Sequence, residues 1–374
     1  MKIQIPKGTF DILPYGCGEE NWRSSALWQY AEKVIRRAAA EYGYQEIRTP
    51  IYERTELFDR GVGETSDIVM KEMFTFEDRS KRSLSLRPEG TASVARAFVE
   101  HRLGEMGSSH KFFYIGPMFR YERPQSGRYR QHHQFGVEAY GPLGPEQDAE
   151  VIDLLLYVYQ QLGLKRLKVH LNSVGDNETR IRYKEALVDY LKPHFSDLSE
   201  DSQTRFGKNP LRILDSKDPK DRELVRGAPS ILKYLTPEAE KHFETVCRLL
   251  EKLGISYVVN DKIVRGLDYY NKTVFEVLTE DLGAQNTIGA GGRYDGLVAQ
   301  FDGPDLPAVG FATGLERVLQ VMSAQQLPFD EAMRPFVYFI PLGDEAKEAC
   351  FLFASQCRKA HLPADIELST KKVS

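Results

Sequence analysis

No apolar run in this sequence approaches the roughly 20 residues that a membrane-crossing helix needs. The opening stretch, MKIQIPKGTFDILP, has no apolar core of signal-peptide length. Both absences lead to the expectation of a cytoplasmic protein with no membrane partner. Cysteine is scarce. The four residues are Cys17, Cys247, Cys350 and Cys357, and none forms a CxxC pair. Disulfides and zinc are therefore not expected, and buried free thiols are the simpler reading. No protein-held metal site is expected. Excess charge is lacking too, with 50 Lys and Arg against 54 Asp and Glu. A nucleic-acid partner would have to use a local basic patch. Nothing fits the GxxxxGK[ST] phosphate loop, and the glycine-rich GAGGRYDGL (289–297) does not fit GxGxxG. There is no low-complexity tract and no repeat of solenoid period.

What is present is a chain of 374 residues, long enough for two or three domains. Residues 19–42 place Leu27, Tyr30, Ala31, Val34, Ile35 and Ala38 on one helical stripe, and Gly43 stops it. A second helix is predicted from about Thr91 to Leu103. HKFFYIGPMFRYE and QHHQFGVEAYG read as strands joined by the polar loop RPQSGRYR, most simply an antiparallel pair. From about Gly175 to Asn260 the texture is charged and helical in period. Strands resume in ISYVVNDKIVRGLDYYNKTVFEVL and NTIGAGGRYDGLV, and GFATGLERVLQVM reads as strand, turn and helix. After the linker-like SAQQLPFDEAMRP, a fresh βαβ start follows.

Strand alternation places Met118, Arg120 and Glu122 on one face of the first hairpin strand. His132, Gln134, Glu138 and Tyr140 share one face of the second. Phe119, Phe135 and Val137 point the other way. A half-solvated sheet shows the same alternation, but Gln134 and Glu138 lie two pleats apart, suited to two groups of one small polar ligand. The loop carries Arg123, Arg128 and Arg130 and no acid, which fits a phosphate clamp as well as a solvated turn. Arg317 opens a helix, where a cation does not serve the dipole and a bound anion would be welcome. Glu89 and Thr91 precede a helix, as caps or as receivers of an ammonium group. Arg120, Arg265 and Arg317 thus sit beside strands in three separate segments. Nucleotidyl transfer needs such preplaced cations.

Together these segments resemble histidyl-tRNA synthetase, a family of class II aminoacyl-tRNA synthetases, in consistent order along the whole chain. EYGYQEIRTPIYE is similar to the first class II motif, GPMFRYERPQSGRYRQHHQFGVEAYG to the second and GFATGLERV to the third. RGLDYYNKTVFEV and GAGGRYDGL resemble the two histidine-specific segments, and both are complete. The class I signatures are absent. The resemblance implies an α+β fold: a class II catalytic core, an antiparallel sheet flanked by helices, over 1–174 and 259–325. It implies a helical insertion over 175–258, a linker over 326–335 and, over 336–374, an incomplete α/β anticodon-binding domain that stops after βαβ.

The same resemblance implies an activity. L-histidine and ATP, with Mg²⁺ on the phosphates, give histidyl-adenylate, and the 3′-hydroxyl of the terminal adenosine of tRNA-His takes the histidyl group. Arg265 and Arg120 would be catalytic, on the α-phosphate and the carboxylate. Glu89 and Thr91 would bind the amino group of histidine, with Gln134 and Glu138 completing that site and Tyr270 and Tyr294 around the imidazole. Glu122 would face adenine, Arg128 and Arg317 would reach the outer phosphates, and His132 takes the position of the family's adenine-stacking aromatic. A homodimer through residues 19–52 is expected, on the ground that those stripes have no partner elsewhere in the chain. The alternative is a catalytically silent paralogue, the regulatory subunit of ATP phosphoribosyltransferase. Intact Arg265 and the βαβ start after residue 335 speak against it.

Overall fold

A computed structural model of the chain describes residues 3–14, 18, 20–63, 66–123, 127–216, 218–264, 266–283, 286–329 and 335–369. In chain order the first elements are α1 (Ser25–Glu41), β1 (Gln45–Glu46), β2 (Tyr52–Arg54), α2 (Thr55–Val62), β3 (Thr75–Glu77), β4 (Ser83–Leu86), α3 (Thr91–Glu100), β5 (His110–Phe119), β6 (Gln131–Tyr140), α4 (Pro145–Gln161) and β7 (Leu167–Ser173). Then follow α5 (Asn177–Leu191), α6 (Glu200–Lys208), α7 (Pro219–Arg226), α8 (Pro237–Lys252), β8 (Tyr257–Val259), β9 (Asn271–Thr279), β10 (Thr287–Arg293), α9 (Leu297–Gln300), β11 (Ala308–Gly314) and α10 (Leu315–Ala324). The last three are β12 (Val337–Phe339), α11 (Asp344–Lys359) and β13 (Ala364–Ile366).

Eight strands form one sheet in the order β1-β5-β6-β11-β10-β9-β7-β8. The six central strands pair antiparallel. The two edges, β1 on β5 and β8 on β7, are parallel. Strand alternation gives this sheet two different faces. Phe135, Val137 and Ala139 of β6 join Val309 and Phe311 of β11 in a core closed by α1, α4, α8 and α10. The opposite face carries Tyr114, Met118, Tyr140 and Tyr294 against α2, α3 and α9. The fold is the α+β class II arrangement expected, with helices on both sides of the sheet.

Local chemistry sets several helix starts. Asp176, Ser199, Asp218 and Thr236 accept the amides of Thr179, Ser202, Lys220 and Ala239, at 2.8, 3.2, 2.8 and 3.3 Å, and so cap α5, α6, α7 and α8. Proline opens α4, α7 and α8, where its missing N–H costs nothing. Tyr183, Leu187, Leu191, Ile213 and Val225 form a separate cluster with Val174, Ile263, Val264 and Val274. The last three elements, β12, α11 and β13, form a parallel βαβ unit.

Three expectations need correction. First, the α1 stripe does have a partner in its own chain. Leu27, Ala31, Val34, Ile35 and Ala38 are buried in the main core, and α1 packs on α4 and α10. Its apolarity alone therefore gives no ground for a dimer. Second, α8, inside the 175–258 expected as an insertion, packs Phe243, Val246 and Leu250 into the main core against α4. The charge belongs to its solvent side. Third, Cys247, Cys350 and Cys357 are free but only half-buried; Cys17 lies outside the described residues.

Candidate active site

The site is built on the face of β6 that carries the even-numbered residues. Glu138 pairs with Phe112 of β5 and Gly310 of β11, so it sits at the centre of the sheet, 1% exposed. Thr91 Oγ1 donates to Glu138 Oε1 at 2.7 Å, and the Tyr294 hydroxyl donates to Glu138 Oε2. Gly310 makes the space. A Cβ there would fall 2.4 Å from Glu138 Oε2 and 2.2 Å from the carbonyl of Val137. Glu89 is buried as well. Its Oε2 accepts the amide of Thr91 at 2.7 Å and its Oε1 that of Ala92 at 2.9 Å. Glu89 therefore caps α3, as the simpler reading of its position requires, and at the same time lies beside Glu138 through their shared partner Thr91.

Two carboxyls in one dry pocket perturb each other. Burial, with Glu89 adding its charge, pushes Glu138 up to about 8, against the pull of Tyr294 and Thr91. Burial also raises Glu89, although the Ala92 and Thr91 amides and the charge of Arg120 oppose it. Such a pair is waiting for a cation. A ring of tyrosines borders it: Tyr269 lies 5.4 Å and Tyr270 6.3 Å from Tyr294, and 4.7 Å from each other. Tyr270 faces a small cavity with Val174, Arg180 and Leu267.

Next to this pocket runs an open cleft of about 590 Å³, lined by Arg120, Glu122, Arg128, His132, Gln134 and Arg317. All six were expected at the site from the sequence, and the fold brings them together. Arg120 donates Nε to the carbonyl of Pro88 at 2.9 Å, next to Glu89, so it stands between cleft and pocket. Gln134 lies two pleats from Glu138, and its Oε1 is buried with no hydrogen-bond partner among the described residues. Arg128 pairs with Glu122 at 2.8 Å. Arg317 donates to the carbonyls of Gly127 at 3.0 Å and Thr287 at 2.6 Å. Burial, then the neighbouring charge of Arg128, lowers its pKa. The half-buried His132 is pushed down to about 3, first by desolvation and then by Arg120, His133 and Arg317. It presents a neutral ring. Arg265 lies outside the described residues.

A larger groove, about 1130 Å³, runs between the insertion and Asp67. It is lined mainly by acids and serines and holds none of the residues above.

Sequence reasoning missed four features. Glu316, 2% exposed, accepts the His133 amide at 2.8 Å and its Nδ1 at 2.9 Å, tying α10 to β6. Tyr114 fills the space that Gly90 and Gly136 leave, since a Cβ on either would meet its ring at 2.3 Å. Arg293, the arginine inside GAGGRYDGL, is fully buried against Asp148, which also meets His242 at 3.3 Å. Residues 287–293 form strand β10, and its glycines admit close packing: a Cβ on Gly289 would lie 2.3 Å from the Tyr159 hydroxyl. Finally, Asp215 and Arg222 of the insertion line the cleft. Only the composition of GAGGRYDGL, with one charge between glycines and a tyrosine, gave a hint of any of these.

Known proteins share this architecture. The profile of the histidyl-tRNA synthetase family matches residues 23–179 and 209–318. The histidine–tRNA ligase of Protochlamydia amoebophila is 56% identical over 373 residues, 100% of this chain and 88% of that protein. The solved apo histidyl-tRNA synthetase of S. aureus is 37% identical with a TM-score of 0.81, over 99% of this chain and 86% of that one. A Bacillus halodurans structure described as an ATP phosphoribosyltransferase regulatory subunit/histidyl-tRNA synthetase is 20% identical with a TM-score of 0.69, over 99% of this chain and 95% of that one. At that identity the likeness speaks for the fold alone. A family profile over most of the chain, and relatives of this identity along its full length, mean that this chain belongs to the histidyl-tRNA synthetase family.

Proposed function

We infer that this chain is a histidine–tRNA ligase, which activates L-histidine with ATP and transfers it to tRNA. The observation that carries the reading is the joining of a buried two-carboxyl pocket to an arginine-lined cleft through Arg120. The pocket suits an amino acid with a cationic amino group and a polar ring. The cleft suits a nucleotide triphosphate. The silent paralogue is not favoured, because the relatives of high identity are named histidine–tRNA ligases.

Within this reading, Glu89, Thr91 and Gln134 receive the α-ammonium group, and Glu138 with Tyr270 and Tyr294 reads the imidazole. Pairing ring nitrogens with buried polar groups penalises amino acids that cannot pair. Arg120 holds the histidine carboxylate and the α-phosphate, and Arg265 neutralises the charge that develops as that carboxylate attacks. Arg128 and Arg317 take the outer phosphates, which needs Arg128 to exchange Glu122 for ATP. Glu122 and the neutral His132 ring flank adenine. No protein nucleophile is involved; the chemistry is positioning and charge neutralisation. The reaction's Mg²⁺ fits the cleft. Among the described residues no group of three or more His, Cys, Asp or Glu could hold a metal, and Mg²⁺ is commonly bound by one or two carboxylates plus phosphate oxygens. Glu276 lines the cleft and would serve, while Mg²⁺ would supply charge neutralisation on the phosphates.

The domain reading follows: a discontinuous catalytic core to which α8 belongs, an insertion beginning at 175, a linker over 326–335 and an anticodon-binding unit from 336. The tRNA is tRNA-His, and the compartment is the cytoplasm. No helix among the described residues is long and apolar enough to cross a membrane. A homodimer through residues 19–52 fits the exposed Ile51 and Tyr52, with Phe76 beside Tyr52 on the neighbouring small sheet. Sedimentation as a monomer at micromolar concentration would count against it.

The deciding experiment is histidine-dependent exchange of labelled pyrophosphate into ATP, which needs no tRNA. Exchange with histidine and with no other amino acid supports the activity. A folded, histidine-binding protein without exchange overturns it.

A further inference from the structure

The stretch PKGTFDIL near the N-terminus has no part in the site described above, yet it is tied to it. One end is fixed to the start of α1. The Leu13 amide donates to the carbonyl of Arg23 at 3.0 Å, and the Ser25 amide to that of Leu13 at 2.7 Å. The other end reaches the β5–β6 loop, where the Arg130 amide donates to the carbonyl of Gly8 at 2.7 Å. Gly8 has φ of +86°, a conformation that glycine adopts readily and other residues do not. Between these ties the ring of Phe10 lies 5.0 Å from Trp22 and 4.8 Å from Tyr129. The guanidinium of Arg23 covers Phe10 at 5.1 Å.

Arg130 transmits this attachment. Its carbonyl accepts the amide of Arg120 at 2.9 Å, and its guanidinium lies 3.9 Å over the ring of Tyr121. Two residues earlier, Arg128 turns into the cleft. The loop is also held by α10, through Arg317 on the Gly127 carbonyl and Gln320 on the Tyr129 hydroxyl at 3.3 Å, and near its start by the Tyr121 amide on the carbonyl of Glu72 at 2.6 Å. Both α10 contacts precede Arg130. Among the described contacts, the Gly8 bond is the one hydrogen bond that ties Arg130 to a residue outside the loop, while Arg120 is held a second time by its Nε on the Pro88 carbonyl.

We infer that residues 8–13 form a strap that holds residues 127–130, at the end of the β5–β6 loop, in the shape that presents Arg120 and Arg128 to the phosphates of ATP. Gly8 and Phe10 are positioning residues for the activation step. The inference rests on the function proposed above. Misplacing a phosphate-binding group by even 1 Å slows a reaction steeply, and the strap supplies fixation at no contact with either substrate. Histidine, bound on β6 and α3, should not feel it.

The test is pyrophosphate exchange by wild type, Phe10→Ala, Gly8→Ala and Phe10→Tyr, with histidine affinity by calorimetry. Phe10→Ala and Gly8→Ala are expected to raise the KM for ATP about tenfold or more. The KM and Kd for histidine should stay within about twofold, and Phe10→Tyr should restore the wild-type KM. An unchanged KM for ATP overturns the strap. So does a parallel loss of ATP and histidine terms, which would mark a general packing role. If Phe10→Ala does not fold, Gly8→Ala decides alone. If wild type itself shows no exchange, the activity reading falls. Hydrogen exchange at the amides of 127–130 then decides the strap: faster in Gly8→Ala supports it, and equal rates overturn it.

Discussion

Thr91 donates its hydroxyl to Glu138 Oε1 at 2.7 Å across 47 residues of sequence, joining the first turn of α3 to the middle of β6. The same residue's amide serves Glu89. One residue, through its hydroxyl and its amide, thus joins two buried carboxyls.

Glu138 is pushed from 4.5 up to about 8, chiefly by burial. Between these values the folded protein keeps a proton that the unfolded chain has lost. Stability therefore falls as pH rises from about 4.5 to about 8, and this group adds no slope outside that window. The full effect is up to roughly 5 kcal/mol. Glu138→Gln removes the slope. Its melting temperature should match or exceed wild type at pH 8.5 and lose that advantage by pH 5. Parallel curves for the two proteins would refute the assignment.

Histidine binding should release a proton from the same group. At pH 7.5 Glu138 is largely protonated in the empty pocket, and an arriving ammonium favours its ionised form. Free histidine has a mostly neutral ring at this pH and contributes little. Calorimetry in two buffers of different ionisation heat is expected to give a release approaching one proton for wild type and none for Glu138→Gln. Equal release by both proteins would move the proton elsewhere.

The hairpin at the centre of the site was legible in the sequence because it rests on local periodicity, whereas the fold and the residue roles came from the family resemblance. Alternation alone placed His132, Gln134 and Glu138 on one face of β6 and Phe135 and Val137 on the other, and the sheet bears this out. Partners distant in sequence were not legible. The α1 stripe packs on helices α4 and α10 of its own chain, a contact indistinguishable in sequence from one with a partner. The charged surface of α8 hid a buried edge. Arg293 carried no sign of its burial, because its counter-ion, Asp148, comes 145 residues earlier in the sequence.

Arg265 opens the segment RGLDYYNKTVFEV, which resembles a histidine-specific segment of the family and continues in sequence to Tyr269 and Tyr270. Its proposed task belongs to phosphate chemistry and not to holding histidine. Arg265→Ala is therefore expected to abolish adenylate formation, a loss of several orders of magnitude in exchange rate, with histidine affinity largely intact. Loss of histidine binding in a titration would assign the arginine to the amino-acid pocket instead.

Asp148 and Arg293 test how that pocket is held. Arg293 is fully buried, donates Nε to Asp148 at 3.0 Å and Nη1 to Asp295 at 3.1 Å, and is followed directly by Tyr294. Burial opposes both charges, but the Coulomb attraction wins, holding Asp148 below and Arg293 above their ordinary values. Asp148→Asn leaves the guanidinium without its main counter-charge in a dry site. The expected cost is about 3–5 kcal/mol in urea unfolding. Because the displaced Arg293 carries Tyr294 with it, histidine should also bind more weakly in the fraction that remains folded, with a Kd raised about tenfold. A loss of stability with an unchanged Kd would mean that Glu138 holds the Tyr294 hydroxyl in place without help from the ion pair behind it.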